Sequence, residues 1–273
     1  MSTVLSNNGT AVSQDGTSIA YSRVGRGPAL VLVDGALCYR ASGPSGPLAA
    51  ALADHFTVFT YDRRGRGESG NTPPFAVERE VEDLKAMIAA AGGRAFVYGI
   101  SSGAVLALEA AHRGAAIDKL ALYEAPFIVD DSRAPMPYDF LARLNTAIAS
   151  QRPGDAVKLF MKLVGVPGIF IAVMRVMPVW SRLTAIAHTL PYDITLVKDY
   201  EQGRPLPRTQ WTGATSPTLV IAGGKSPVWM RNAMRELAGV LPRATYRTLP
   251  GQTHMIKAQA LVSPLVEFFG TDR

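Results

Sequence analysis

The chain has 273 residues, of which 48% are apolar and 18% charged, with one cysteine and a formal net charge of +6 at pH 7. This length is enough to bury one sizeable core, with or without an insertion. A single cysteine excludes an intramolecular disulfide and a cysteine-built metal cluster. The basic residues are scattered, and the densest group is Arg63, Arg64 and Arg66. This pattern predicts a mildly basic soluble surface and no nucleic-acid interface.

No stretch of the sequence is long enough to predict a membrane span. The longest apolar run, Val164–Met174, contains Pro167 and Gly168 and ends at Arg175, whereas a spanning helix needs roughly 20 residues. The first residues, MSTVLSNNGT, have neither the basic nor the apolar part of a secretory signal. We therefore expect a cytoplasmic protein, and the sequence leaves its oligomeric state open.

The first structural signal along the chain is a hairpin. Residues 10–13 and 17–22 alternate apolar and polar side chains on either side of Asp15-Gly16. That dipeptide suits the positive φ angles of a two-residue hairpin turn. The chain is therefore predicted to begin with two antiparallel strands.

Later segments are almost continuously apolar, as strands are when both faces of a parallel sheet are covered. These runs are residues 29–33, 57–61, 95–98, 120–123 and 218–222. Helical patterns lie between them, most clearly at Val77, Val81, Leu84 and Ile88, which share one helix face. The alternation predicts an α/β fold with a mostly parallel, doubly wound sheet.

The alternation of strand and helix is interrupted once. Residues 126–215 show no strong strand signal and instead contain helical stretches at 138–149, 155–163 and 169–177. We expect residues 1–125 and 216–273 to form the core and residues 126–215 to form a helical cap. Such an insertion should stack over the strand ends, where open α/β sheets bind ligands.

The predicted cap carries more apolar side chains than one exposed helix face needs. Some should line a pocket for an apolar part of a small-molecule substrate, while others only pack the cap onto the core. The residues concerned are Phe160, Met161, Leu163, Ile169, Phe170, Met174, Met177 and Trp180.

The sharpest chemical motif is a Gly-x-Ser-x-Gly turn between an apolar strand and a helix rich in alanine and leucine. A serine nucleophile on so tight a turn needs small residues two positions before and two after it. Ser101 meets this condition with Gly99 and Gly103, whereas Ser102 would have Ile100 at the first of those positions. The helix that follows directs its N-terminal amides and positive dipole end at the site, which favours an oxyanion.

A second element supplies another backbone donor. The strand at residues 29–33 runs directly into Asp34-Gly35-Ala36. Gly35 permits a sharp turn that can aim the Ala36 amide at the same oxygen as the Ser102 amide. Two such donors form an oxyanion hole.

One of the four histidines has the setting of a catalytic base. His254 follows the strand-like run 244–249 in a loop, and loops at strand ends often carry functional residues. His55 and His112 end predicted helices, which suits surface or dipole-complementing residues. His188 lies in the predicted cap, where packing is the simpler role.

These elements occur in one order along the chain. The hairpin is followed by the strand at residues 29–33 with its oxyanion turn, a glycine-containing DRRGRGES turn at residues 62–69, the Gly-x-Ser-x-Gly turn (the nucleophile elbow, residues 99–103), the helical insertion and the late histidine. In this order the chain resembles the α/β-hydrolase superfamily over nearly its whole length. The resemblance implies Ser101 as nucleophile, His254 as base and the amides of Ala36 and Ser102 as the oxyanion hole. It implies no metal and no other cofactor.

The sequence departs from this family where the acid of the catalytic triad is expected, because that position holds Ser226. Between Glu201 and His254 the only carboxylate is Glu236, which the pattern places on a helix. Glu124, at the end of the preceding strand, keeps the order serine, acid, histidine and could reach the imidazole Nδ1. Two alternatives remain open: Glu124 is structural, or the Ser226 hydroxyl orients the histidine.

A second departure is Asp34, where the family usually has a histidine. Its carboxylate could bind backbone amides of its own turn, or it could bind substrate or Arg63. Close to an oxyanion hole, an unpaired carboxylate would oppose the developing negative charge. Cys38 is expected to be a buried or loop thiol without a catalytic role.

The leading functional hypothesis is hydrolysis of a carboxylic ester, thioester or lactone through an acyl-enzyme on Ser101. Fold alone does not fix the reaction. The first alternative is therefore a non-hydrolytic lyase that acts on a cyanohydrin-type adduct. The second is a catalytically silent ligand-binding member of the family, consistent with the displaced acid and with Asp34.

Overall fold

The structure is a computed structural model that describes residues 7–270. Eight strands form one sheet in the order β1-β2-β4-β3-β5-β6-β7-β8. The strands are β1 (Asn7–Val12), β2 (Ser18–Gly25), β3 (Ala29–Val33), β4 (Thr57–Tyr61), β5 (Ala95–Ile100), β6 (Ile117–Tyr123), β7 (Thr218–Gly223) and β8 (Ala244–Leu249). Strand β2 pairs antiparallel with β1 and β4, and all other pairs are parallel. The predicted fold class is confirmed.

The turn of the opening hairpin differs from the prediction. Five residues, rather than two, separate β1 from β2. Gly16 has a φ of +84°, and Asp15 is not in the left-handed region. Asp15 instead accepts the Thr17 amide through its side chain at 3.0 Å. An Asp side chain can close a turn in this way without a positive φ angle, so the longer loop forms.

The helices are α1 (Ser45–Leu52), α2 (Val77–Ala90), α3 (Ser102–His112), α4 (Phe140–Ala149), α5 (Pro153–Leu163), α6 (Gly168–Met174), α7 (Pro178–Ala185), α8 (Leu190–Val197), α9 (Val228–Val240) and α10 (Ala258–Gly270). Helices α1 and α10 cover one face of the sheet, and α2, α3 and α9 cover the other. Strand β3 shows the alternation: Leu30 and Leu32 face α1 and α10, whereas Val31 and Val33 belong to the opposite cluster. The sheet is therefore doubly wound.

Helices α4 to α8 and one 3₁₀ helix all lie between β6 and β7. The helix predicted over residues 169–177 is shorter than expected, since α6 ends at Met174. A new helix begins at Pro178, and proline suits a first helical turn because it lacks the amide that an interior position needs. No single helix within residues 7–270 is long and apolar enough to cross a membrane. Among the described helices, α6 and α7 taken together reach the length and composition of a span, and they are bent by 96°.

The arginines of the turn after β4 do not contribute to the basic surface. Arg63, Arg64 and Arg66 are each only 1% exposed. Arg64, for example, pairs with Asp83 at 2.7 Å and with Asp15 at 2.9 Å. Composition could not reveal this, because the partner carboxylates are distant in sequence. Through these buried ion pairs, the turn connects loops and helices to the sheet, and it does not form a basic surface patch.

Matched valine substitutions test this description of the core. Val31 in β3 is fully buried, whereas Val12 in β1 is 70% exposed. Replacing Val31 with alanine should lower the free energy of unfolding by about 2 kcal/mol, since buried methyl groups are lost and a cavity remains. Val12→Ala should have little effect. Urea denaturation of both variants measures the difference, and equal losses would contradict the assignment of β3 to the core.

Candidate active site

Ser101 occupies the junction between β5 and α3. Its φ is 59° and its ψ is −131°, a conformation that non-glycine residues rarely adopt. The backbone is held there by hydrogen bonds, among them one from the Ser101 amide to the Tyr123 carbonyl at 2.9 Å. Strain of this kind costs on the order of 1–3 kcal/mol and is concentrated at functional sites.

The glycines on either side of Ser101 are required by close backbone contacts. A Cβ on Gly99 would lie 2.5 Å from the Gly103 carbonyl oxygen, and a Cβ on Gly103 would lie 2.3 Å from the Val33 carbonyl oxygen. No larger residue fits either position without moving the backbone. The structure therefore has the crowded turn that the Gly-x-Ser-x-Gly spacing predicts.

Gly35 lies in a crowded part of the turn after β3. It is not in the left-handed region; the residue of that turn with a positive φ is Leu37, at 57°. A Cβ on Gly35 would instead lie 2.9 Å from the Ser101 Cβ. Gly35 thus lets the loop after β3 pass directly beside the candidate nucleophile.

The two candidate oxyanion donors, Ala36 and Ser102, line the same cavity as Ser101. Within the described part of the chain, neither backbone amide donates a hydrogen bond to another residue. Ser102 is the first residue of α3, where amides lack a partner within the helix. Both groups are therefore available to an acceptor in the cavity.

Glu124 is fully buried and lies directly after β6. Its Oε2 lies 2.9 Å from the His254 Nδ1, and its Oε1 accepts the Gly223 amide at 2.7 Å. The loop that carries the histidine is also held by the Tyr123 hydroxyl, which donates to the Thr253 carbonyl at 2.6 Å. His254 lines the cavity with Ser101. Glu124 is thus the carboxylate next to the imidazole.

Neither alternative acid position contacts the histidine. The Ser226 hydroxyl is buried and has no hydrogen-bond partner among the described residues. Glu236 lies on α9 and accepts the Leu206 amide at 2.5 Å. The geometry therefore favours Glu124 over both as the partner of His254.

The Asp34 side chain is directed away from the cavity. Its carboxylate accepts the Ser45 hydroxyl at 2.7 Å, at the start of α1, and so does not bind amides of its own turn as expected. Arg63 donates to the Asp34 backbone carbonyl, not to the carboxylate. Burial raises the pKa of Asp34 to about 6. Asp34 is not among the residues that line the cavity.

A buried ion network joins the insertion between β6 and β7 to the elbow. Asp193 on α8 pairs with Arg63 and Arg66, each at 2.7 Å, and accepts the Ser102 hydroxyl at 2.7 Å. Arg66 also donates to the Gly35 carbonyl at 2.7 Å. Burial raises the pKa of Asp193, but the two guanidinium charges outweigh that effect and hold it below its usual value. The network therefore fixes the backbone on both sides of the candidate oxyanion hole.

The cavity has a volume of about 160 Å³. Of the apolar residues predicted for a pocket, Phe160 and Leu163 line it, whereas Ile169, Phe170 and Met177 are exposed. Met161, Met174 and Trp180 do not line it either. The lining residues are Ala36, Ser101, Ser102, Pro126, Arg133, Phe160, Leu163, Val164, Asp193, Ile194, Val197, Glu201, Pro227, Trp229, Met230 and His254.

Several lining residues lie outside the sequence motifs, among them Arg133, Asp193, Glu201 and Trp229. Arg133 and Glu201 lie in loops, Asp193 lies on α8 and Trp229 lies on α9. The first three belong to the insertion between β6 and β7, and its packing brings them to the cavity. For these three, the only signal in the sequence was the presence of charged residues in a segment otherwise rich in apolar side chains.

The remaining histidines and the cysteine are outside the cavity lining. His112 is the last residue of α3 and accepts the Gly213 amide at 3.2 Å through Nδ1. Burial lowers the pKa of His188, which lies in the 3₁₀ helix. Burial and the charge of Asp34 raise the pKa of Cys38 to about 12, so the thiol is not a nucleophile at neutral pH.

Comparisons with known proteins agree with this geometry. A model of the alpha/beta hydrolase family matches residues 27–260. The crystal structure of an alpha/beta hydrolase from Sphaerobacter thermophilus DSM 20745 is 51% identical, with a TM-score of 0.88 over 96% of this chain and 100% of that one. The enol-lactonase from Burkholderia xenovorans LB400 shares the fold at 24% identity, with a TM-score of 0.69 over 96% of this chain and 100% of that one.

A curated relative matches over a shorter region. The uncharacterized hydrolase YraK of Bacillus subtilis (strain 168) is 36% identical over 110 residues. The match spans 38% of this chain and 38% of that protein. This match is consistent with membership of a hydrolase family, and it gives no information about the substrate.

Substitution of Asp193 tests the buried network. Asp193→Asn leaves Arg63 and Arg66 without their shared counter-charge, and it should lower the free energy of unfolding by about 3 kcal/mol. The matched control is Asp155→Asn, which removes an exposed pair with Arg152 and should cost less than about 1 kcal/mol. Chemical denaturation measures both variants. An Asp193 variant as stable as the control would contradict the network.

Proposed function

The chain belongs to the alpha/beta hydrolase family and is a hydrolase, and from that premise we propose that it cleaves a carboxylic ester, thioester or lactone through an acyl-enzyme on Ser101. The observation that carries this proposal is the contact of 2.9 Å between Glu124 and His254 Nδ1. It supplies a base with a fixed orientation in the same cavity as a serine on a strained turn.

The first half of the reaction forms the acyl-enzyme. With its Nδ1–H directed to Glu124, His254 has its Nε2 free to take the proton of the Ser101 hydroxyl. The serine oxygen attacks the substrate carbonyl, and the carbonyl oxygen becomes an oxyanion. The amides of Ala36 and Ser102 stabilise that charge, and the α3 dipole adds to the effect. The imidazolium then gives its proton to the leaving alcohol or thiol.

The second half repeats the same steps with water. His254 accepts a proton from water, the resulting hydroxide attacks the acyl carbonyl, and collapse of the oxyanion returns the proton to the Ser101 oxygen. The products are a carboxylic acid and an alcohol or thiol, or a single hydroxy acid when the substrate is a lactone. These residues suffice for every step, and none requires a metal.

We propose that residues 126–215 act as the cap of this site. They supply more than half of the cavity lining, including Phe160, Leu163, Ile194 and Val197. These side chains provide an apolar surface for part of the substrate. Specificity should therefore depend on the cap, while the chemistry depends on residues of the core.

Turnover of a substrate panel tests the reaction. Short and medium acyl esters, thioesters and lactones should be hydrolysed by the wild-type protein, and Ser101→Ala should abolish this turnover. Product analysis follows the released acid. Failure to hydrolyse any member, or turnover that survives in the Ser101→Ala variant, would contradict the proposal. If a cyanohydrin-type substrate instead released a carbonyl compound and no acyl-enzyme could be trapped, the protein would be a lyase.

Two conservative substitutions separate a triad acid from a structural one. Glu124→Gln should lower kcat by about 10⁴-fold, because an amide does not stabilise the imidazolium. Ser226→Ala should leave kcat close to the wild-type value, since its hydroxyl makes no contact with His254. Steady-state kinetics and urea denaturation are measured together on both. A Glu124 variant that loses stability but keeps its kcat would show that this residue is structural.

A further inference from the structure

One carboxyl group in the cavity has no hydrogen-bond or ion-pair partner among the described residues. Glu201 is 6% exposed and lines the cavity. Its backbone carbonyl accepts the Met136 amide at 2.9 Å. Within residues 7–270, however, its carboxyl oxygens take part in no hydrogen bond or ion pair. Buried polar groups are normally satisfied, so a free one directed into a substrate cavity points to a ligand.

Arg133 adds a cation to the same wall. Its guanidinium lies 4.2 Å from the centre of the Trp229 ring and donates one hydrogen bond to the Leu163 carbonyl. It forms no ion pair with any carboxylate of the described chain. A half-buried guanidinium with unused N–H groups is suited to a planar anion.

Arg133 is the charged residue in the cavity lining that has no counter-charge among the described residues. Burial raises the pKa of Glu201 to about 8 and the charge of Arg133 opposes this rise, so the carboxyl is mainly protonated at neutral pH. The other ionisable groups in the lining are Asp193, which is paired with two arginines, and His254, which is bonded to Glu124. A protonated Glu201 donates one hydrogen bond, and Arg133 supplies positive charge and further donors.

We propose that Arg133 and Glu201 form a subsite for a free carboxylate on the substrate, so that the preferred substrates are half-esters or lactones that carry a second, ionised carboxyl group. This proposal rests on the ester hydrolysis proposed above and specifies its substrate class. A substrate with an ammonium group in this position would be repelled by the positive charge of Arg133. A substrate with a neutral apolar group there would leave the side chains of Arg133 and Glu201 without hydrogen-bond partners.

Pairs of substrates that differ only in charge test the subsite. The acids are the monoethyl esters of succinic, glutaric and adipic acid, and each is compared with the ethyl ester whose distal carboxylate is replaced by a methyl ketone. For at least one chain length, kcat/KM of the wild-type enzyme should be about 10- to 100-fold higher for the acid, as expected of charge-assisted hydrogen bonds.

Substitution of the cation should remove this preference. Arg133→Met should reduce the ratio of acid to ketone to near unity, mainly by raising KM for the acids. Arg133→Lys keeps the charge and should retain part of the ratio. The control is Arg143→Met on α4, which removes an exposed arginine that does not line the cavity. A preference that persists in Arg133→Met would contradict the role of this residue.

The pH dependence tests Glu201 separately. Below its pKa the carboxyl donates to the substrate carboxylate, and above it the ionised group repels that carboxylate. The wild-type preference for acids should therefore decline as the pH rises through about 8. In Glu201→Gln the preference should not change between about pH 6.5 and 9.5, because the amide does not titrate there. Glu267→Gln on α10 is the exposed control, and an unchanged decline in the Glu201 variant would overturn the assignment.

The outcomes distinguish this proposal from the reaction on which it rests. If Ser101-dependent hydrolysis occurs but acids and ketones react equally, the subsite is wrong and the reaction stands. If no ester is hydrolysed, titration calorimetry of monoethyl glutarate with the Ser101→Ala variant decides. Binding that is lost on addition of Arg133→Met supports the subsite, and absence of binding overturns it.

Discussion

The site depends on the two hydrogen bonds made by the Glu124 carboxylate. One of its oxygens binds the Gly223 amide at the end of β7, and the other binds the His254 ring in the loop after β8. The residue itself ends β6, so one buried side chain joins the ends of three adjacent strands. This arrangement accounts for the serine at position 226, because the carboxylate enters from the neighbouring strand. It also explains why so polar a group is tolerated with no exposure to solvent.

A second constraint connects chemistry to substrate selection. Asp193 belongs to the insertion, yet it accepts the Ser102 hydroxyl and pairs with Arg66, which donates to the Gly35 carbonyl next to Ala36. The insertion therefore helps to hold the backbone that it also covers. Arg133 and Glu201, from the same insertion, line the cavity and form no ion pair within residues 7–270. One segment thus contains both a paired charge, which stabilises the site, and ionisable groups without an ion pair, which are available to a ligand.

The sequence predicts those features that depend on local pattern. Apolar runs located the parallel strands, and the small residues at Gly99 and Gly103 located the elbow, because a buried strand and a crowded turn restrict residue type directly. Features that arise from long-range packing were not predictable. The pairing of Asp193 with arginines more than 120 positions away, and the burial of those arginines, follow from the docking of helices. The close approach of Gly35 to Ser101 likewise arises from packing between two loops that are distant in sequence.

The central claim is that Ser101 is a nucleophile activated by His254 and Glu124. Labelling with a serine-reactive phosphonate, followed by mass spectrometry of the digested protein, tests it most directly. The account predicts one adduct per chain, on the peptide that contains Ser101, with much slower labelling when His254 or Glu124 is replaced. An unlabelled protein, an adduct on another serine, or a labelling rate unaffected by both substitutions would contradict it.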